Sequence, residues 1–257
     1  MILFLIKKNF FDLWDNLFKV AIVNIGFIAS LAFPVFVPML LAPLPVLEIV
    51  VQLLGILWCF VYLGTAAMSL KALSDYSNFG FADFFANLKE YWPVGLILGG
   101  LVCLGYLLCT VVIPFYIGMK SMFGLLLAAI IFWTLVTALL ALQFFFAVRA
   151  RLDTKIRKVI KKCFIIFFDN PAFCIFTLIH NIVVLTLSVF VAFLFPGPAG
   201  ILLFLDEGLR LRLLKYDWLE ANPEAKRSRI PWDALLIDER ERTGTRSLRS
   251  FIFPWKD

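Results

Sequence analysis

Eight groups in or beside the apolar runs of this chain could carry charge or hydrogen bonds into a membrane: Asn24, Glu48, Gln52, His180, Asn181, Asp206, Glu207 and Arg210. Ionisable groups inside an apolar run are costly there, and they often mark a solute path or a proton relay. Plainer accounts compete with that chemistry. Glu48 sits near the outer end of its run and can reach water. Asp206 and Glu207 precede Arg210 at i,i+4 and i,i+3 spacing, so each can pair with it along one helix. His180 is the one histidine, which excludes a multi-histidine metal site. A single histidine with acids from other helices could still relay a proton.

No G-x-S-x-G, H-E-x-x-H, Walker A or G-x-G-x-x-G pattern occurs, and no pair of similar halves carries matched interrupted helices. A non-enzyme without cofactor is therefore expected. Cys59, Cys103, Cys109, Cys163 and Cys174 lie in or beside apolar runs, as small packing residues do.

The elements that must hold these groups are membrane helices. The chain is 62% hydrophobic and 16% charged over 257 residues, too apolar for a soluble domain. About 20 apolar residues cross a bilayer as a helix. Five runs qualify, at about 20–42, 46–70, 93–118, 122–148 and 172–196. A shorter sixth, 198–214, opens at Pro198 and runs into Asp206. The predicted fold is thus an all-α polytopic bundle of six spans over residues 20–216, preceded by an interfacial helix, 1–19, and followed by an ordered cytoplasmic tail, 217–257.

Lysine and arginine alternate between the runs. Lys7, Lys8 and Lys19 precede the first, Lys71 and Lys89 follow the second, seven follow the fourth and eleven begin at Arg210. Only Lys120 falls on the poor side. The positive-inside rule then places both termini in the cytoplasm of a bacterial inner membrane, with an even number of crossings. The same topology accounts for the net charge of +6 without a nucleic-acid partner. The amino terminus puts its apolar run before its lysines, the reverse of a cleaved signal.

Three cytoplasmic pieces read as amphipathic helices in the headgroup layer. The first sets Lys8, Asp12, Asp15 and Lys19 opposite Phe10, Leu13, Trp14 and Leu17. The second is "FADFFANLKEYW", with Phe81, Phe84, Phe85 and Leu88 on one face. The third, "RLDTKIRKVIKKC", carries a basic face that could bind anionic lipid. Within the second span Gly55, Cys59, Tyr62, Ala66 and Ser69 continue the face of Glu48 and Gln52, and Gly95 and Gly99 form a G-x-x-x-G pair in the third. Cys174, Thr177, Asn181 and Ser188 line one side of the fifth. Such faces serve either close helix packing or a polar path, and the residues alone leave both open. The tail keeps Trp232, Leu235, Leu236, Phe251, Phe253 and Trp255, too many large apolar groups for a disordered segment. They could pack on the protein's own cytoplasmic face or dock a partner.

Three stretches, "NIGFIASLAFPVFVPML", "GTAAMSLKALSDYSNFGFADFFANLKEYWPVGLILGG" and "FPGPAGILLFLDEGLRLRLLKY", resemble the YesL-like family of bacterial membrane proteins. Asn24, Pro34 and Gly64-Thr65-Ala66-Ala67, followed by Phe81, Phe84 and Phe85, carry the likeness across residues 15 to 216. It implies an accessory protein that binds, assembles or regulates another membrane complex, such as a carbohydrate ABC transporter. It supplies no catalytic residue. A small permease or channel, with a polar path between spans two, five and six, is the alternative.

Overall fold

The computed structural model describes residues 1–224, 230–244 and 246, and these are mainly helical, with no strand among them. In chain order the helices are α1 (Ile2–Asp15), α2 (Leu17–Leu40), α3 (Pro45–Ser74), α4 (Phe81–Leu107), α5 (Ile113–Gly118), α6 (Met122–Leu142), α7 (Phe145–Arg151), α8 (Ile156–Asp169), α9 (Pro171–Val189), α10 (Gly197–Ala221), α11 (Trp232–Leu235) and α12 (Ile237–Thr243). A π-helical turn, Leu108–Val112, joins α4 to α5. Five stretches are long and apolar enough to cross a membrane: Leu17–Leu40, Val46–Ser74, Phe81–Gly118, Met122–Leu142 and Pro171–Val189. The chain is a multi-pass membrane protein.

Several expected boundaries move, each for a local reason. The interfacial helix expected at "FADFFANLKEYW" continues into the third span as α4, with Pro93 inside it. Its start is fixed by the Asp83 carboxylate, which accepts from Gly80 N–H at 2.8 Å. The fourth span ends at Leu142, six residues early. There Gln143 turns inward and donates to Leu140 O and Cys174 O, while Phe144 to Val148 enter the core. The fifth ends at Val189, and a turn follows. The expected sixth span is the 25-residue helix α10, which carries too many charges to join the five and whose buried residues include Asp206, Glu207 and Lys215.

Helix α1 also reverses expectation. Its Lys8 and Asp12 point into the protein and are buried, while Trp14 on the apolar side is exposed. The physical reason is a buried acid on α10 that Lys8 neutralises.

Helices α2 and α3 form an antiparallel pair. Tyr62 donates to Val23 O at 2.7 Å, Cys59 Sγ to Ser30 O at 3.4 Å, and Gly55 meets Pro34. The small and polar face of α3 is therefore spent on packing over most of its length. The other side of α3 takes α4, where Gly95 lies against the backbone of Phe60 and Val61. Two clusters of buried apolar residues complete the interior. Phe144, Phe145, Phe173, Phe204 and Leu209 belong to one, and Val20, Ala66, Leu70 and Leu203 to the other.

The Gly95 contact gives a paired test. A methyl group added at Gly95 would stand 2.6 Å from Phe60 O, whereas one at Gly100 would meet nothing within 4 Å. Gly95→Ala is expected to lower stability in detergent by about 1–3 kcal/mol, and Gly100→Ala to leave it unchanged or slightly higher. Thermal unfolding of the two purified variants checks this, and equal behaviour would count against the α3–α4 packing.

Candidate functional site: a charge network held by one helix

The eight polar candidates fall into separate neighbourhoods. Glu48 is half-buried and Gln52 exposed near the start of α3, and among the described residues neither side chain has a hydrogen bond or ion pair. Asn24 lies on α2 and is fully buried. His180 lies flat against Phe204, with 3.7 Å between ring centres at 13°. Its hydrogen-bonding neighbour is Asn181, whose Oδ1 is 3.5 Å from Nδ1. Only Asp206, Glu207 and Arg210 come together, as successive faces of α10.

The pairing inside that group differs from expectation. Neither acid pairs with Arg210 along the helix, because each faces a different neighbour. Asp206 accepts from Arg151 of α7 in a bidentate pair, with Nε at 2.8 Å, and Nη2 as the second donor. Glu207 receives the Lys8 ammonium of α1 at 3.4 Å, and Lys8 also bonds Asp12. Arg210 reaches past α10 altogether. It donates to Ser74 O at the end of α3, to Asp75 Oδ1 at 3.0 Å and to Glu239 of α12 at 2.7 Å.

A tyrosine that sequence reading passed over sits at the centre. Tyr76 follows α3 in a left-handed conformation with φ 56°. Its hydroxyl donates to Glu239 Oε2 at 2.7 Å, and Lys8 stands 4.2 Å from its ring centre. Arg210 and Arg242 flank the same ring at 5.2 and 5.4 Å. Cations over an aromatic face are stabilised most where water is excluded. Of the remaining members, Lys8 and Asp12 were read only as a water-facing stripe, and Ser74, Asp75, Arg151 and Glu239 were not expected in the site. For Ser74, Asp75 and Tyr76 the sequence signal is the polar run "SDY" that closes the second span.

The lower half of α10 repeats the pattern. Lys215 donates to Asp169 at 2.8 Å and to Asn170 at 2.9 Å, and the Tyr216 hydroxyl meets the same Asp169 at 2.8 Å. Arg212 lies 4.2 Å from the ring centre of Phe173 and 5.6 Å from that of Trp232. Lys215 and Tyr216 tie α10 to the α8–α9 junction, and Arg212 ties it to α9 and α11.

The electrostatics follow from burial. Lys8 and Glu207 both have fully buried side chains. Burial alone would lower the Lys8 pKa, but the carboxylates of Glu207 and Asp12 outweigh it and hold the ammonium above the ordinary lysine range. Burial likewise pulls Asp75 up, while the hydrogen bond from Lys71 and the charge of Arg151 hold its carboxyl below the usual range. Glu207 Oε2 and Asn9 Nδ2 are buried without a hydrogen-bond partner among the described residues.

Of the six candidate tail residues, Trp232, Leu235 and Leu236 are described. Leu236 is fully buried and Trp232 packs against the main core. Arg246 binds Asp15 through two hydrogen bonds of 2.9 Å, and Lys7 donates to Gly244 O at 3.3 Å. This part of the tail thus folds onto the chain itself. Phe251, Phe253 and Trp255 lie outside the described residues.

A cavity of about 410 Å³ lies apart from the network, between α2 and the start of α4. Its lining is Ile22, Val23, Gly26, Tyr62 and five residues from Phe79 to Phe85, with Lys19 at its edge. Among the described residues no cluster of histidine, cysteine, aspartate and glutamate could hold a metal ion. No family model, curated protein or solved structure matches this chain.

The buried pair gives a second test. Lys8→Met strands a buried carboxylate and is expected to cost about 3–5 kcal/mol, while Lys8→Met with Glu207→Leu recovers most of that loss. Unfolding of the three purified variants measures the coupling. Additive losses would show that the two groups do not depend on each other.

Proposed function

We propose that this chain is a non-enzymatic accessory protein of the bacterial cytoplasmic membrane, with both termini in the cytoplasm, that binds, assembles or regulates another membrane complex. The observation that carries the proposal is the use made of the buried charges. Asp206, Glu207 and Arg210 are taken up in tying α10 to α1, α3, α7 and α12. What they build is a rigid polar layer at one end of an apolar bundle. His180 is occupied by Phe204 and Asn181, and Glu48 and Gln52 at the far end of α3 stand apart from both.

Helix α8 extends the same layer. Val159, Cys163 and Ile166 enter the core, while Lys155, Arg157, Lys158 and Lys161 are exposed. That face suits anionic headgroups, so the layer rests at the cytoplasmic surface and can present α12 to a partner. The likeness to YesL-like proteins names a carbohydrate ABC transporter as the complex to look for.

Tagged protein purified in mild detergent from its own host provides the test. Subunits of a membrane complex are expected to accompany it in stoichiometric amount. A partnerless protein that moves a solute in reconstituted vesicles, with flux lost in Glu48→Gln or Asp206→Asn, would overturn the proposal in favour of a permease.

A further inference from the structure

The five apolar stretches pose a parity problem. Five crossings put the two termini on opposite sides, and the eleven lysines and arginines from Arg210 onward would then lie outside. We infer that α9 and the first half of α10 form a re-entrant hairpin that enters from the cytoplasmic side, turns inside the bilayer and leaves on the same side. The chain then crosses four times, through α2, α3, α4–α5 and α6. The inference rests on the cytoplasmic-termini reading and deepens it.

Depth is the first observation. The turn after α9 is fastened to Asn24, whose Nδ2 donates to Leu194 O at 3.0 Å and to Pro196 O at 2.9 Å. Its Oδ1 accepts from Ala199 N–H at 2.9 Å. At 1.5 Å per residue, Asn24 stands only about 10 Å above Leu17 and about 24 Å short of Leu40. The hydrocarbon core is about 30 Å thick, so a turn level with Asn24 stops well short of the outer ends of α2 and α3. Near the turn Ala199 and Leu203 pack with Val20, Val23, Ala66 and Leu70, the same inner third of α2 and α3. Asp206 then meets Arg151 and Arg210 meets Ser74, at the inner end of α3.

The membrane cannot simply be shifted to put this turn at its outer surface. Leu31, Phe33, Phe36, Met39 and Leu40, all beyond Asn24 on α2, are exposed and apolar and need lipid around them. So do Phe190, Val191 and Leu194 at the turn itself. From Asn170 to Leu205 the chain holds no Asp, Glu, Lys or Arg.

Hydrogen bonding is the second, independent observation. Irregular backbone at membrane depth is tolerated only where protein groups replace water. Here they do. Besides the three bonds to Asn24, Ser188 Oγ accepts from Gly197 N–H at 3.0 Å. Phe193 N–H reaches Ser188 O at 2.7 Å, and Leu194 N–H reaches Val191 O at 3.0 Å. Asn24 and Ser188 are both fully buried. A turn bathed in water would have no need of two buried polar side chains from apolar helices.

Six crossings and four crossings with a re-entrant hairpin place the carboxy terminus on the same side, so the turn must be probed directly. Cys103 and Cys109, the two cysteines that are not buried, are replaced by alanine in the full chain. Single cysteines are then introduced by Val191→Cys, by Ala42→Cys in the α2–α3 turn and by Ser77→Cys after α3. A membrane-impermeant maleimide is applied to intact cells and to inside-out vesicles. Ala42→Cys is expected to react from outside and Ser77→Cys from inside. Val191→Cys is expected to react roughly tenfold less than either control from its own side, as hydrocarbon burial requires. Reaction of Val191→Cys at a control's rate from either side overturns the hairpin, and reaction from outside specifically restores six crossings. Failure of the reading beneath it would look different: a carboxy-terminal reporter would prove to be outside.

Discussion

Two adjacent acids on α10, Asp206 and Glu207, set the terms for the polar end of this protein. Both are buried, and they point to different sides of the helix. An ionised carboxylate taken out of water is several kcal/mol unfavourable unless a cation and hydrogen bonds replace its solvent. Those replacements come from far along the chain, as Lys8 near the amino terminus and Arg151 after the fourth span. Satisfying the two acids therefore fixes where α1 and α7 lie. Arg210, one turn further, fixes the end of α3 and, through Glu239, the folded part of the tail.

Magnitudes separate this network from the polar contacts inside the bundle. Hydrogen bonds between membrane helices average roughly 0.6 kcal/mol, so Tyr62 to Val23 or Asn87 to Ser69 adjust packing without dictating it. Stranding one member of a buried ion pair costs about 3–5 kcal/mol, a large share of a typical fold's stability of about 5–15 kcal/mol. Close packing positions α2, α3 and α4, and charge positions everything attached to α10. The turn at Asn24 joins the two regimes, since the residue belongs to the packed pair and holds the start of α10.

Much of the membrane architecture was legible in the sequence, because hydropathy over 20 residues reports directly on lipid contact. The G-x-x-x-G pair was legible for the same reason: Gly95 lets two backbones approach, and its spacing shows it. The charged helices misled. Periodicity finds the polar stripe of α1 but not which side faces water, and Lys8 with Asp12 turned inward to meet Glu207. Asp206 and Glu207 stand at good spacing from Arg210, yet a local pair lost to Arg151 and Lys8, which no spacing rule links to them. Tyr76 carried only the weak signal of a polar helix end. Proline also misled at Pro93, where the helix runs through a residue that marks a start elsewhere.

The central claim is that the acids of α10 serve as a clamp, and a charge reversal tests it most directly. Arg151→Asp and Asp206→Arg would each place two like charges in a buried site, and together they would restore one opposite pair. Thermal unfolding of the purified single and double variants is the measurement. Severe loss in each single variant with substantial recovery in the double is the result predicted. Singles that unfold like the parent chain, or a double variant as damaged as the sum of its parts, would contradict the clamp.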